Sequence, residues 1–298
     1  LLGHPHPKEQ VSGGAVIACV QMRPDIGATR ANVARASQYV ETAASRGAAL
    51  IVLPELCNSG YVFNDREEAM SLAEPLPDGE TARAFTTLAQ RLGVYLVLGF
   101  AERAGEVLYN SAFLTGPDGP LGIYRKLHLW DNEKRFFEPG NLGVPVFDTP
   151  LGRIAALICY DGWFPETFRL AAMQGADIAC VPTNWVPMPA QPDDRPAMAT
   201  TLAMAAAHSN GIVIACADRI GVERGQRFVG QSLIVGSDGW PLAGPAGDDG
   251  EEILYATVDI GRIRRGRRLN AFNHVLEDRR ADVYDLMPGT GWPAGADR

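Results

Sequence analysis

GRIAALICYDGWFPETFRLAAMQGADIACVPTNW, residues 152–185, is the stretch whose reading decides the fold. Its first ten residues, GRIAALICYD (152–161), form a buried apolar strand. FPETFRLAAMQG follows as a helix, with Pro165 near its start and Gly175 at its end. DIACVPTNW (177–185) is a second apolar strand. Strand, helix, strand is the order of an α/β protein.

Outward from this unit the same order repeats. AVIACVQ (15–21) is rich in β-formers, and ANVARASQYVETAASRG (31–47) has helical spacing and a terminal glycine. AALIVLPEL (48–56) reads as a strand and GETARAFTTLAQRLG (79–93) as a helix. VYLVLGFAER, VLYNSAFLTG and LGIYRKLHL, within 94–129, read as three strands joined by turns such as GPDG. AMATTLAMAAAHSN (197–210) is a helix of small residues, followed by strands at 211–219, 228–236 and 253–260. The pattern predicts layered sheets with helices outside. No composition break marks a linker, so residues 15–298 are expected to form a single domain, preceded by a loose arm over 1–14. The last 30 residues show no core of their own and are expected to extend toward a partner subunit.

Composition excludes several classes. The 298 residues are 46% hydrophobic and 21% charged, too apolar for a disordered chain. A net charge of -8 gives no reason to expect nucleic acid. The one basic run, GRIRRGRRLN (261–270), lacks interleaved aromatics and reads as a solvated helix face or a subunit contact. Five cysteines with no CxxC pair argue against a disulfide framework or a cysteine zinc site, and favour a reducing, cytoplasmic setting. No apolar run reaches 18 residues, which argues against a membrane-spanning helix. The opening LLGHPHPKEQVSGG does not read as a signal peptide.

Three residues sit where chemistry is done in α/β folds, at the carboxyl edge of β segments. Cys159 ends a strand just before a helix, where a turn can present a nucleophile. Glu55 closes the apolar run ALIVLPEL, where desolvation raises a carboxyl pKa. Lys126 lies at a strand end in GIYRKLHL. A thiol needs a base or a cation beside it to react at neutral pH. The histidines are poor candidates: His208 reads as a cap or core group, and the spacing of His128, Asp131 and Glu133 fits no strong metal motif. No GxSxG is present.

Glu55 in LPEL, Lys126 in YRKLHL and Cys159 in ICYDGWFPE together resemble the Glu-Lys-Cys triad of the nitrilase superfamily of carbon–nitrogen hydrolases. The likeness runs from about Ala15 to Tyr284, with the three motifs in the family's order. It implies a four-layer α-β-β-α sandwich and hydrolysis of a non-peptide carbon–nitrogen bond through a cysteine thioester, with no metal and no organic cofactor. On that resemblance Glu55 is the general base. Lys126 favours the thiolate and stabilises the oxyanion, with the Tyr160 backbone N–H as second donor. Glu133 in NEKRFFEPG is the supporting glutamate, with Glu138 a competitor. Family members resembling this chain pair, so at least a homodimer is expected.

Nitrile-cleaving members typically follow the cysteine with Trp-Glu, where this chain has Tyr160-Asp161. Carbamoylases of D-amino acids carry two arginines there, replaced here by Gly162-Trp163. DGWFPE is close to N-carbamoylputrescine hydrolases, and PTNW (182–185) is more like small-amide amidases. The resemblance therefore favours a small aliphatic primary amide, with an N-carbamoyl amine as the alternative. Tyr160, Trp163, Asn184 and Trp185 are the candidate substrate-binding residues.

Overall fold

Alternation along the first strand shows how the layers are built. In β1 (Ala15–Gln21), Ile17 and Cys19 join one apolar core while Ala18 and Val20 join another. Successive strand side chains point to opposite faces, so this sheet is covered on both. The computed structural model describes residues 14–284 except 190, 193 and 194.

After β1 come α1 (Thr29–Ser45), β2 (Leu50–Val52), α2 (Arg66–Leu72), α3 (Glu80–Leu92), β3 (Tyr95–Ala104), β4 (Val107–Gly116) and β5 (Gly119–Arg125). β6 (Val146–Thr149), β7 (Gly152–Ala156), α4 (Pro165–Met173), β8 (Ile178–Pro182), α5 (Met198–Asn210) and β9 (Val213–Ala217) follow. The chain continues through β10 (Ile220–Glu223), β11 (Gln226–Val229), β12 (Leu233–Val235), β13 (Pro241–Ala243), β14 (Glu252–Val258), α6 (Ile260–Gly266) and α7 (Ala281–Tyr284).

Two six-stranded sheets share one plan. The first has the order β14-β1-β2-β3-β4-β5 and the second β13-β12-β9-β8-β7-β6. In each, three central strands run parallel and the flanking strands antiparallel. The sheets face one another, β1 against β9 and β2 against β8. Ala36 and Val40 of α1 and Phe85 and Ala89 of α3 close the outer face of the first sheet. Phe168 and Ala171 of α4 and Ala203 and Ala207 of α5 belong to the core that includes the second sheet. This is the expected α-β-β-α layering.

Several strands are shorter than their apolar runs. The run 152–161 is strand only to Ala156, because the Ile158 N–H is taken by the Asp161 carboxylate at 2.9 Å rather than by a neighbouring strand. β2 likewise stops at Val52, although the Leu53 N–H and the Pro54 carbonyl still bond β3 at 2.9 and 3.1 Å. The edge strands β6 and β13 and the β10–β11 hairpin carry too little apolar periodicity to be read from sequence. α2 had a legible signal, since Asp65 caps it by accepting the Glu68 N–H at 2.9 Å.

The basic run is not simply a solvated face. Arg264 donates to the fully buried Asp177 at 2.8 and 3.0 Å, and Arg267 does so at 3.3 Å. This carboxylate anchors α6 to the second sheet. Arg264 keeps nearly half of its side chain in solvent while Arg267 is mostly buried, so Asp177→Ala should cost about 1–3 kcal/mol of stability. Denaturant unfolding checks this, and kcat per folded molecule should stay unchanged.

The arm expected over residues 1–14 falls, except for Gly14, outside the described residues, as does the part of the last 30 residues from 285 onward. No helix among the described residues is long and apolar enough to cross a membrane.

Candidate active site

Four chain segments converge just past the carboxyl ends of β2, β5, β7 and β8, the crevice position of layered α/β folds. Glu55 follows β2, Lys126 follows β5, Cys159 follows β7, and Thr183 to Trp185 follow β8. Gly99 of β3 lets the Glu55 backbone approach, since a Cβ there would lie 2.3 Å from the Glu55 Cα.

Lys126 is fully buried and its Nζ sits between two carboxylates, 2.7 Å from Glu55 Oε1 and 2.7 Å from Glu133 Oε1. Asn110 Nδ2 donates to the same Glu55 oxygen at 2.7 Å, and the Tyr61 hydroxyl to Glu133 Oε1 at 2.6 Å. Glu133 is buried, whereas Glu138 is exposed, which separates the two competitors.

Cys159 opens a 3₁₀ turn over Cys159–Trp163 and has φ of +44°, in the left-handed region that β-carbon-bearing residues rarely occupy. A nucleophile on such a strained turn stands clear of its own backbone. A narrow cavity reaches it, lined by Trp130, Tyr160, Trp163, Asn184, Trp185 and Met188 among others. All four candidate substrate-binding residues thus line one cavity with the thiol. Among the described residues, Asn184 Oδ1 and Trp185 Nε1 of the cavity lining, and Glu55 Oε2, are buried without a hydrogen-bond partner. Asn184 Nδ2 holds the Glu55 carbonyl at 3.0 Å.

The electrostatics follow from burial. Desolvation pushes the Glu55 carboxyl up to about 7; Lys126 opposes the rise and Glu133 adds to it. Burial alone would lower the Lys126 pKa, but Glu133 and Glu55 hold it above its ordinary value, so it stays a cation. The Cys159 thiol is pushed well up by burial and by the Glu55 charge, against the pull of Lys126, the Thr183 hydroxyl and the Asn184 N–H. Lys126 therefore acts toward thiolate, as expected from its position, but is outweighed at rest.

All five cysteines are unpaired and buried, and among the described residues only Cys159 lines this cavity. The histidines go elsewhere: His128 Nδ1 lies 2.8 Å from Asp161 Oδ1, and the exposed His208 bonds the Asp238 carbonyl at 3.0 Å. Sequence reasoning missed Tyr61, Asn110 and Trp130. Trp130 had a signal, as the next aromatic after Lys126 in KLHLW. Tyr61 and Asn110 had none, since only folding brings them to Glu133 and Glu55.

The family model for carbon-nitrogen hydrolases matches residues 16–268. The chain belongs to that family. It is 41% identical over 268 residues to a nitrilase of Pyrococcus abyssi, a match covering 90% of this chain and 98% of the relative. It is 35% identical over 273 residues to an N-carbamoylputrescine amidase of Solanum lycopersicum, covering 86% of this chain and 89% of the relative. Among solved structures it resembles a doubly substituted amidase of Nesterenkonia sp. AN1 in complex with acrylamide, with a TM-score of 0.73 and 26% identity, over 94% of this chain and 98% of that one. These likenesses place the carbon–nitrogen hydrolase in the amidase- and carbamoylase-like branch of the nitrilase superfamily. Its activity is hydrolysis of a non-peptide carbon–nitrogen bond.

Proposed function

We propose that this hydrolase converts a small aliphatic primary amide to its carboxylic acid and ammonia through a thioester on Cys159. The observation that carries this reading is the buried Lys126 ammonium clamped between Glu55 and Glu133, in a site where Cys159 stands on a strained turn.

The steps balance with these groups alone. Glu55 takes the thiol proton as Sγ bonds to the amide carbon. The negative oxygen that forms meets Lys126 Nζ and the Tyr160 backbone N–H. The carbon–nitrogen bond breaks, and the proton on Glu55 passes to the departing ammonia. Water then gives a proton to Glu55 and adds to the thioester carbon. When the carbon–sulfur bond breaks, that proton returns to sulfur. Glu133 positions Lys126 throughout.

Since the base must be ionised and its carboxyl is pushed up to about 7, kcat/KM should rise with pH through about 7 and be lost below it. An acid limb centred near the ordinary glutamate value of about 4.3 would remove Glu55 from the role.

Trp130, Trp163 and Trp185 offer apolar walls, and among the described residues no charged side chain lines the cavity, which supports a neutral aliphatic chain. Such walls discriminate chain length weakly, roughly 10–200-fold per methylene. A panel of amides, N-carbamoyl amines and nitriles, read by ammonia and carbon dioxide release, tests the assignment. Highest kcat/KM is expected for a short amide, with ammonia and no carbon dioxide. The Solanum relative supports the second reading, an N-carbamoyl amine, and equal release of both gases would favour it. A nitrile as best substrate would overturn both.

A further inference from the structure

Asp161 lies two residues beyond Cys159, is fully buried, and accepts four hydrogen bonds from three places in the chain. Its Oδ2 takes the Ile158 N–H at 2.9 Å and the Tyr124 hydroxyl at 2.6 Å. Its Oδ1 takes the His128 N–H at 3.0 Å and lies 2.8 Å from His128 Nδ1. A carboxylate only accepts, so that ring nitrogen carries the proton. Two oxygens offer about four lone-pair sites, and all are filled. The His128 ring is itself held flat against Phe164, with centroids 3.6 Å apart.

The donors are not arbitrary. Ile158 directly precedes Cys159, and the Asp161 N–H returns a bond to the Ile158 carbonyl at 2.9 Å, closing the turn into a ring. Tyr124 and His128 stand two residues before and two after Lys126. One buried carboxylate thus ties the segment carrying Lys126 to the turn carrying Cys159, although the two belong to different sheets. Breaking it frees two movements at once. The turn can relax from the left-handed φ of Cys159, a conformation that persists only where the surroundings impose it. The Lys126 ammonium can also drift from where the oxyanion forms.

We propose that Asp161 is a positioning residue that sets the distance and angle between Cys159 Sγ and Lys126 Nζ. The proposal rests on the roles given above to those two residues. Asp161 touches no reacting atom. It acts through the other two, and Tyr124 and His128 are the arms of the clamp.

The test uses the full chain with Asp161→Asn, which replaces one acceptor by a donor facing donors. Misplacing a reacting group by about 1 Å costs on the order of 10²-fold in rate, so kcat on the best panel amide should fall by about that factor with KM nearly unchanged. A double-mutant cycle with Lys126→Met separates positioning from mere loss of fold. Because Asp161 acts on Lys126 as well as on the Cys159 turn, the double variant should lose clearly less than the product of the two single losses. Losses that multiply would overturn the proposal.

A second readout needs no substrate. Alkylation of Cys159 by iodoacetamide, followed by mass spectrometry across pH, should shift its half-point upward in Asp161→Asn, because Lys126 no longer stands close enough to favour thiolate. An unchanged profile would overturn the clamp even if turnover fell. Should Asp161→Asn fail to fold, Tyr124→Phe and His128→Asn each remove one arm, and both should shift the profile in the same direction. A wild-type enzyme that hydrolyses no panel compound would count against the proposed reaction, while the alkylation profile still decides the clamp.

Discussion

Cys159→Ala should abolish turnover of every compound in the panel, a loss on the order of 10⁶-fold, as when the nucleophile of a concerted catalytic group is removed. The expectation comes from what the other cysteines lack. Cys19, Cys57, Cys180 and Cys216 are buried within strands or against the sheets, and burial holds each of their thiols above its ordinary pKa. Cys159 alone among them lines the cavity, and it alone has the Lys126 cation pulling its thiol toward ionisation. Cys216→Ala and Cys180→Ala should therefore keep most of the activity and lose only some stability to the small cavity left behind. Intact-mass spectrometry of enzyme quenched during turnover gives the direct reading. An acyl adduct should appear on the native chain and be missing from Cys159→Ala. Turnover by Cys159→Ala at even a few per cent of the native rate would end the thioester mechanism.

Lys126→Met should cost at least 10²–10³-fold in kcat, the loss found when an oxyanion donor is removed. The structure argues for the upper end or beyond. The same ammonium stabilises the oxyanion and neutralises two buried carboxylates, each 2.7 Å away. Without it, the Glu55 carboxyl loses the charge that opposes its rise, while burial and the Glu133 charge still drive it up. Glu55 then becomes a base only at higher pH. The acid limb of kcat/KM in Lys126→Met should therefore move upward from about 7 while the plateau falls. A variant that kept the native plateau, or whose acid limb stayed in place, would show that Lys126 merely fills space. Thermal unfolding monitored in parallel reports how much of the loss is due to misfolding.

Much of the fold was legible because its elements are local. Helical spacing and terminal glycines marked α1, α3 and α5 close to their observed bounds, and apolar runs marked β1, β3, β4, β8 and β9. What was not legible were elements whose hydrogen bonds are decided elsewhere. β7 ends at Ala156 although the apolar run continues to Cys159, because a carboxylate further along the chain claims the Ile158 N–H. The basic run around α6 looked like a solvated surface until folding brought the buried Asp177 beneath Arg264 and Arg267.

The site divides along the same line. Residue type and place at strand ends were enough to single out Glu55, Lys126 and Cys159, since a carboxyl, an amine and a thiol are scarce at the carboxyl edge of apolar runs. The stretch 132–140 could not choose between Glu133 and Glu138, for both stand in one loop among aromatics. Tertiary structure chose by burial, turning Glu133 onto Lys126 and leaving Glu138 in solvent. Burial and the Glu55 charge push the thiol up against the pull of Lys126, because desolvation depends on every atom packed around a group and no local pattern encodes it. The sequence by itself determined which groups can react. The order of layers, and the four hydrogen bonds at Asp161 that join positions 124, 128 and 158, decided where those groups stand. Chemical identity is a property of one residue, whereas distance and dielectric are properties of the packed whole.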